Sequence, residues 1–193
     1  MSTRIKQSTA FLVDDNGRLV GYVDENGRER ELNGAFITPG GTPTRANYVL
    51  ASSSASSSVT GTTSEATLAT AQIPANTLAS PGARLRVTLS VTCTNNANAK
   101  TLRARLAAVQ ALQLSSSFSN VTGGRVYFDI VATSSAAQKC MSGVASYSTA
   151  AGAAVTAMAV DMTQAQSLTL TAQLATSTDT FQLEEYTVEI LRP

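Results

Sequence analysis

Residues 83–93 read Ala-Arg-Leu-Arg-Val-Thr-Leu-Ser-Val-Thr-Cys, and this stretch decides the fold. Leu85, Val87, Leu89, Val91 and Cys93 fall on one side of an extended chain; Arg84, Arg86, Thr88, Ser90 and Thr92 fall on the other. Side chains alternate across a strand, so the pattern describes one buried and one wet face. After the turn Thr94–Ala99, the alternation resumes from Lys100 to about Ala107. There Leu102, Ala104 and Leu106 point inward, and Arg103 and Arg105 outward. If the two strands pair as a hairpin, Arg84, Arg86, Arg103 and Arg105 share its polar face.

The same period marks further strands. Arg125–Thr133 turns Val126, Phe128 and Ile130 inward, and Ser167–Leu174 does so with Leu168, Leu170, Ala172 and Leu174. In the last strand the phase slips. Phe181 and Leu183 are odd-numbered, whereas Tyr186, Val188 and Ile190 are even. One extra residue at Glu184-Glu185, a β-bulge, keeps all five on the core face. Weaker strands are read at Glu65–Ile73, Ala108–Leu114, Ala137–Ser146 and Val155–Val160. The Ala-rich stretch Ala150–Met162 is read as strand or loop, despite its helix propensity. Short strands separated by Asn/Gly/Ser-rich turns predict an all-β body. We expect an antiparallel, jelly-roll-like β-sandwich over residues 64–193.

Charge is unevenly spread. Residues 1–45 carry 12 of the 27 charged residues, and the other 148 positions only 15. Within this segment Val13-Asp14-Asp15-Asn16-Gly17-Arg18 is echoed by Val23-Asp24-Glu25-Asn26-Gly27-Arg28. Asn-Gly between apolar runs is a hairpin signal, because both turn positions need positive φ. Ala10–Val13, Leu19–Val23 and Arg28–Leu32 therefore read as a three-stranded meander with Phe11, Val13, Leu19, Tyr22, Val23 and Leu32 as its core. Such a sheet is marginal alone and needs a partner surface. Gly34 and the Thr38–Pro43 stretch end it. Residues 46–63, containing Ala-Ser-Ser-Ser-Ala-Ser-Ser-Ser-Val-Thr-Gly-Thr-Thr, read as a flexible connector, since small polar residues bury too little to offset ordering.

The composition excludes several chemistries. The chain has 193 residues and no histidine, which removes Ser-His-Asp and Cys-His catalysis and every His-containing metal site. Cys93 and Cys140 are too few for a disulfide framework and read as small buried residues, although a bond between them stays open. A net charge of +1 gives no nucleic-acid signal. No apolar run is long enough for a transmembrane helix, and Met1–Asp15 shows no signal-peptide core, so we expect a soluble chain without a membrane partner. Asp14-Asp15-Asn16-Gly17 does not continue with calcium-loop spacing. Glu184 and Glu185 are adjacent in a strand, so we expect them on opposite faces and poorly placed for glycoside hydrolysis. Lys100 and Lys139 are the body's lysines, and neither context suggests a base for a serine nucleophile. There is no phosphate-loop or dinucleotide motif. We expect no catalytic residue, metal or cofactor.

Two stretches resemble a module of tailed-phage virion proteins. The first runs Gly61–Ala69, Ile73–Leu78, Leu85–Thr88 and Thr94–Leu106; the second is Asp179–Ile190. The Asn-Gly-Arg-Leu-Val-Gly segment, Asn16–Gly21, looks like segments near the front of phage fibre and decoration proteins. After the Leu102–Arg105 strand this family often continues with a Gly-rich turn, where this chain has Leu106-Ala107-Ala108-Val109. The resemblance implies a jelly-roll-type sandwich that decorates capsids or ends fibres, usually as a homotrimer. It implies a virion protein, made in the host cytoplasm, whose partners are itself and the major capsid protein or another virion structural protein. It carries no catalytic residues.

On this basis a capsid decoration protein, of cement or head-fibre type, is the first expectation, with residues 1–45 attaching it. A tail fibre or adhesin module binding a host-surface glycan is the alternative. A polysaccharide-degrading tailspike would need paired carboxylates in a long repeat stack. Arg84, Arg86, Arg103 and Arg105 are the candidate interface, set against the simpler reading of a solvated face.

Overall fold

The computed structural model describes residues 11–13, 19–23, 29–31, 47–142 and 155–192. The chain divides into two compact units, Met1–Ala46 and Asn47–Pro193.

In the first unit, Phe11–Val13 (β1), Leu19–Val23 (β2) and Glu29–Glu31 (β3) form an antiparallel sheet in the order β1-β2-β3. Phe11 pairs with Tyr22, and Val23 with Glu29. This is the meander read from the sequence. The Asn-Gly pairs, the Thr38–Pro43 stretch, Leu32 and the packing of the expected small core lie outside the described residues.

The second unit is a sandwich. Its strands are Tyr48–Ser53 (β4), Ser57–Thr60 (β5), Ala66–Ile73 (β6), Arg84–Cys93 (β7), Lys100–Leu106 (β8) and Val109–Leu114 (β9). They continue with Gly123–Ser134 (β10), Ala137–Ser142 (β11), Val155–Met158 (β12), Gln166–Leu174 (β13) and Thr180–Leu191 (β14). The larger sheet has seven strands in the order β12-β11-β10-β7-β14-β4, with β5 also pairing with β14. The smaller has four, in the order β6-β13-β8-β9. Every pairing is antiparallel.

The alternation places the core. Leu85, Val87 and Leu89 of β7, Phe128 and Ile130 of β10, and Phe181, Val188 and Ile190 of β14 are fully buried. They pack in one cluster with Leu102 and Leu106 of β8, Leu168, Leu170 and Ala172 of β13, and Ile73 of β6. Each large side chain so buried contributes roughly 1.5–3 kcal/mol relative to exposure. Phe118 meets Phe181 edge-on, with centroids 5.0 Å apart. The register of β14 against β7 shifts between Leu183 and Glu185, so the bulge lies where the phase slip put it.

Two expectations are corrected. The Ser-rich stretch 46–63 is not a free connector: β4 and β5 pair with opposite halves of β14, Ser53 with Tyr186 and Val59 with Phe181. Backbone ladders need no large side chains, and buried Val59 anchors the segment. Secondly, β7 and β8 do not form a hairpin. β7 lies between β10 and β14, and β8 between β13 and β9 in the other sheet. Residues 94–99 cross from one sheet to the other instead of turning back.

The Ala-rich stretch holds a short strand, β12, followed by buried Val160 and Met162. Buried Gln138 fixes the segment: its Nε2 donates to the Val160 carbonyl at 2.9 Å, and its Oε1 accepts from the Val160 amide at 3.1 Å. A side-chain amide here does what a backbone ladder does elsewhere.

Candidate functional site

The four arginines do not form one patch. Because β7 and β8 belong to different sheets, Arg84 and Arg86 lie on the outer face of the larger sheet, and Arg103 and Arg105 on that of the smaller. Each pair converges on one carboxylate. On the larger sheet, Asp129 sits opposite Arg86 in the register. Arg86 donates to it twice, Nε to Oδ1 at 2.9 Å and Nη2 to Oδ2 at 3.0 Å, and Arg84 Nη1 donates to Oδ2 at 2.9 Å. The two-pronged contact with Asp129 raises the Arg86 pKa.

On the smaller sheet the acceptor is Glu65, just before β6. Arg103 Nη1 donates to its Oε2 at 3.0 Å, and Arg105 Nη2 to the same oxygen at 3.2 Å. Arg103 also reaches Gln113 Oε1 at 2.8 Å and Gln173 Oε1 at 3.0 Å. Hydrogen bonds from Arg105, and then from the Thr171 hydroxyl, hold the Glu65 carboxyl at about 2, against the opposing effect of burial. The sequence reading missed Glu65 and Asp129. Their acidity was visible, but not which strand would bring each beside the arginines.

A third cluster is buried. Lys100 is fully shielded from solvent. Its Nζ donates to Asn96 Oδ1 at 2.7 Å and to the Asn98 carbonyl at 2.9 Å, and lies 3.8 Å from Asp179 Oδ2. Asp179 is buried too, and accepts from Asn96 Nδ2 at 2.7 Å and Asn98 Nδ2 at 3.0 Å. The Asn96 amide, with further help from Asn98 and Lys100, lowers the Asp179 pKa against desolvation. The cluster pins the 94–99 crossover to the turn before β14. The alternation carried a signal for it: Lys100 shares the inward phase of Leu102, Ala104 and Leu106.

Glu184 and Glu185 also differ from expectation. The bulge brings both to the outer face of the larger sheet, where Glu184 accepts from the Thr92 hydroxyl and Glu185 from the Ser90 hydroxyl at 2.8 Å. Glu184 also accepts from Gln182 and Ser56 at 2.9 Å, and these contacts, Thr92 first, lower its pKa. Arg125 Nη2 lies 3.2 Å from Glu185 Oε1. A general acid needs a raised pKa, whereas Glu65, Asp179 and Glu184 are all shifted the other way and are held as anions.

Cys93 and Cys140 are free thiols, and burial pushes Cys140 up to about 12. Among the described residues, no group of three or more Cys, Asp or Glu side chains converges as a metal site. No helix among them is long and apolar enough to cross a membrane.

No family model matches the chain, and no curated protein matches it. Several solved structures show distant likeness, among them these two. The C-terminal domain of EclA, a sugar-binding protein, has 10% identity and a TM-score of 0.40 over 73% of this chain and 81% of its own. The CBM2 module of the evolved Dit of Lactobacillus casei BL23 phage J-1 has 11% identity and a TM-score of 0.34 over 62% of this chain and 67% of its own. Likenesses of this degree fix neither a ligand nor a partner for this chain.

Proposed function

We propose that this chain is a non-enzymatic structural protein of a bacteriophage virion, a capsid decoration protein of cement or head-fibre type that works as a homotrimer. Residues 1–45 attach it to the particle, and the sandwich is what it displays. One observation carries this reading: the division into a charged front unit, Met1–Ala46, and a separate sandwich, Asn47–Pro193. The front unit's described strands are three, five and three residues long. A sheet that short is marginal alone and gains from docking on a larger surface.

The sequence resemblance to phage virion modules adds support with a physical basis. Two of the runs that carry it, Thr94–Leu106 and Asp179–Ile190, meet at the Lys100–Asp179 cluster. The test is deletion of Met1–Arg45. The shortened chain should keep its fold and lose binding to particles; undiminished incorporation would assign docking to the sandwich.

A second reading, a fibre or adhesin module for a host-surface glycan, draws on the smaller sheet's outer face. Arg103, Arg105, Gln113 and Gln173 are ordered there by mutual hydrogen bonds and by Glu65. Pre-ordered polar groups lose little freedom on meeting sugar hydroxyls. Binding of the full chain to an array of host glycans, abolished by Arg103→Ala, would favour this reading over decoration.

A further inference from the structure

The buried Lys100 cluster holds the parts of a reaction as well as those of an ion pair. Lys100 Nζ is an amine shut away from solvent. It touches one side-chain carbonyl, Oδ1 of Asn96, at 2.7 Å. For an ordinary hydrogen-bond angle and a C=O bond of about 1.23 Å, this contact leaves Nζ about 3.5 Å from Asn96 Cγ. Reacting atoms held about 3–3.5 Å apart are placed for attack once the amine swings out of the amide plane.

The surroundings of Asn96 suit the same reaction. Its Oδ1 also accepts from the Asn98 backbone N–H at 3.1 Å. A donor there stabilises the negative charge that gathers on the oxygen as the carbonyl carbon is attacked. Asn96 Nδ2 donates to Asp179 Oδ1 at 2.7 Å, and the other oxygen of that carboxylate lies 3.8 Å from Lys100 Nζ. One carboxylate therefore spans the amine and the amide nitrogen that would leave. The charges fix which way the amide points, because a flipped Asn96 would set its oxygen against Asp179 and its NH2 against the ammonium.

We propose that Lys100 and Asn96 join in an intramolecular isopeptide bond, made once by the folded chain on itself, with Asp179 carrying the protons. Lys100 starts as the ammonium and Asp179 as the carboxylate. Nζ gives a proton to Asp179, and the freed lone pair attacks Asn96 Cγ. The Nζ–Cγ bond forms, the Cγ–Nδ2 bond breaks, and Asp179 hands its proton to Nδ2. Nζ loses a second proton as the new amide forms, so the nitrogen departs as ammonium and Asp179 returns to the carboxylate. No oxidant, reductant or cofactor enters. Hydrogen bonds from Asn96 and Asn98 keep Asp179 anionic between transfers, so it is a base at rest and holds a proton only in transit. The 3.8 Å gap to Nζ is long for proton transfer, as catalytic contacts often are before reaction. Asn96 is the electrophile and Asp179 is not, since an anionic carboxylate resists a nucleophile. Asn96 is also partly exposed, which gives the ammonium a way out. The bond would tie the crossover to the first residue of β8 for the life of the molecule, wherever the protein attaches.

Intact-mass spectrometry of the full chain, followed by tryptic mapping, tests this. The wild type, incubated as folded protein, should become lighter by one ammonia. The lightened peptide should run Val87–Arg103 without a cut after Lys100, because trypsin needs a free lysine. Succinimide formation at an asparagine also releases ammonia, but it leaves Lys100 open to cleavage. A loss of that kind alone, or a wild type that keeps its full mass, would overturn the proposal. Asn96→Ala and Lys100→Met should not form the bond, and a lighter, uncut peptide persisting in Asn96→Ala would overturn it too. Asp179→Asn, verified as folded by circular dichroism, should slow the mass loss about a hundredfold or more, as removal of a proton-transfer group does. A folded Asp179→Asn that cross-links at the wild-type rate would overturn the assignment of the proton carrier while leaving the bond standing.

Discussion

Replacing Lys100 with methionine isolates the buried cluster. Methionine keeps the stem and nearly the volume, so cavity costs are small. What disappears is the ammonium. Asn96 Oδ1 and the Asn98 carbonyl lose the donor that lies 2.7 and 2.9 Å away, and Asp179 loses its buried counter-charge. Removing one partner from a buried pair costs about 3–5 kcal/mol, because the other is left uncompensated. For a domain of this size each kcal/mol shifts Tm by about 2–4 °C, so the variant should melt about 6–20 °C lower. An exposed lysine would change stability by no more than about 0.5 kcal/mol. Scanning calorimetry measures the shift, and hydrogen exchange locates it: amides of 94–99 and of the turn before Thr180 should lose protection first. A drop below about 2 °C would refute the reasoning, since it is the response of a solvated side chain. Acid gives a second view. The Asp179 pKa is lowered in the fold, so its stabilising effect is present above the ordinary aspartate value of about 3.9 and is lost as pH falls through the lowered one. Asn96 and Asn98 supply part of that shift, so Lys100→Met should weaken this acid dependence without abolishing it.

Glu65 should behave similarly nearer the surface. Its pKa falls from 4.5 to about 2, so its contribution is complete above pH 4.5 and fades as pH drops towards 2. Glu65→Gln should lower stability at neutral pH and flatten the acid limb of a pH-melting profile; an unchanged limb would show that Arg103 and Arg105 gain nothing from the contact. Two neighbouring glycines offer an internal contrast. A Cβ on Gly123, at φ +155°, would stand 2.2 Å from the Val91 carbonyl oxygen, whereas one on Gly124 would meet nothing within 4 Å. Gly123→Ala should therefore cost about 3 kcal/mol in chemical denaturation and Gly124→Ala less than about 0.5 kcal/mol, and equal costs would contradict the close approach of β10 to β7.

The sequence showed which side of each strand faces the core, because period two is a local property. It marked Leu85–Val91, Leu102–Leu106, Leu168–Leu174 and the slip at Glu184-Glu185, all of which the structure contains. It did not show pairing. Nothing in 83–93 or 100–107 says whether the chain turns back or crosses over; that choice lies with Asn96, Asn98, Lys100 and Asp179, and Asp179 joins the other three through contacts 79 or more residues apart in sequence. The arginine face was read wrongly for that reason. Small residues misled in another way: 51–63 has the composition of a linker, but β14 offers its backbone groups a ladder.

The extra residue in β14 also decides which genetic changes the sheet can absorb. Before it, Phe181 and Leu183 pair with β5; after it, Tyr186 and Val188 pair with β4, while β7 runs along the whole opposite edge. Replacing Glu184 or Glu185 alters hydroxyl contacts on the outside and leaves every apolar side chain in place. Losing one codon there is a different event. Either the residues before it or those after it must rotate to the other face, exposing Phe181 and Leu183 or Val188 and Ile190 to water. In this strand the spelling of the two glutamates is negotiable and their number is not, so a lineage of such chains would drift freely in letters at 184 and 185 while holding its length.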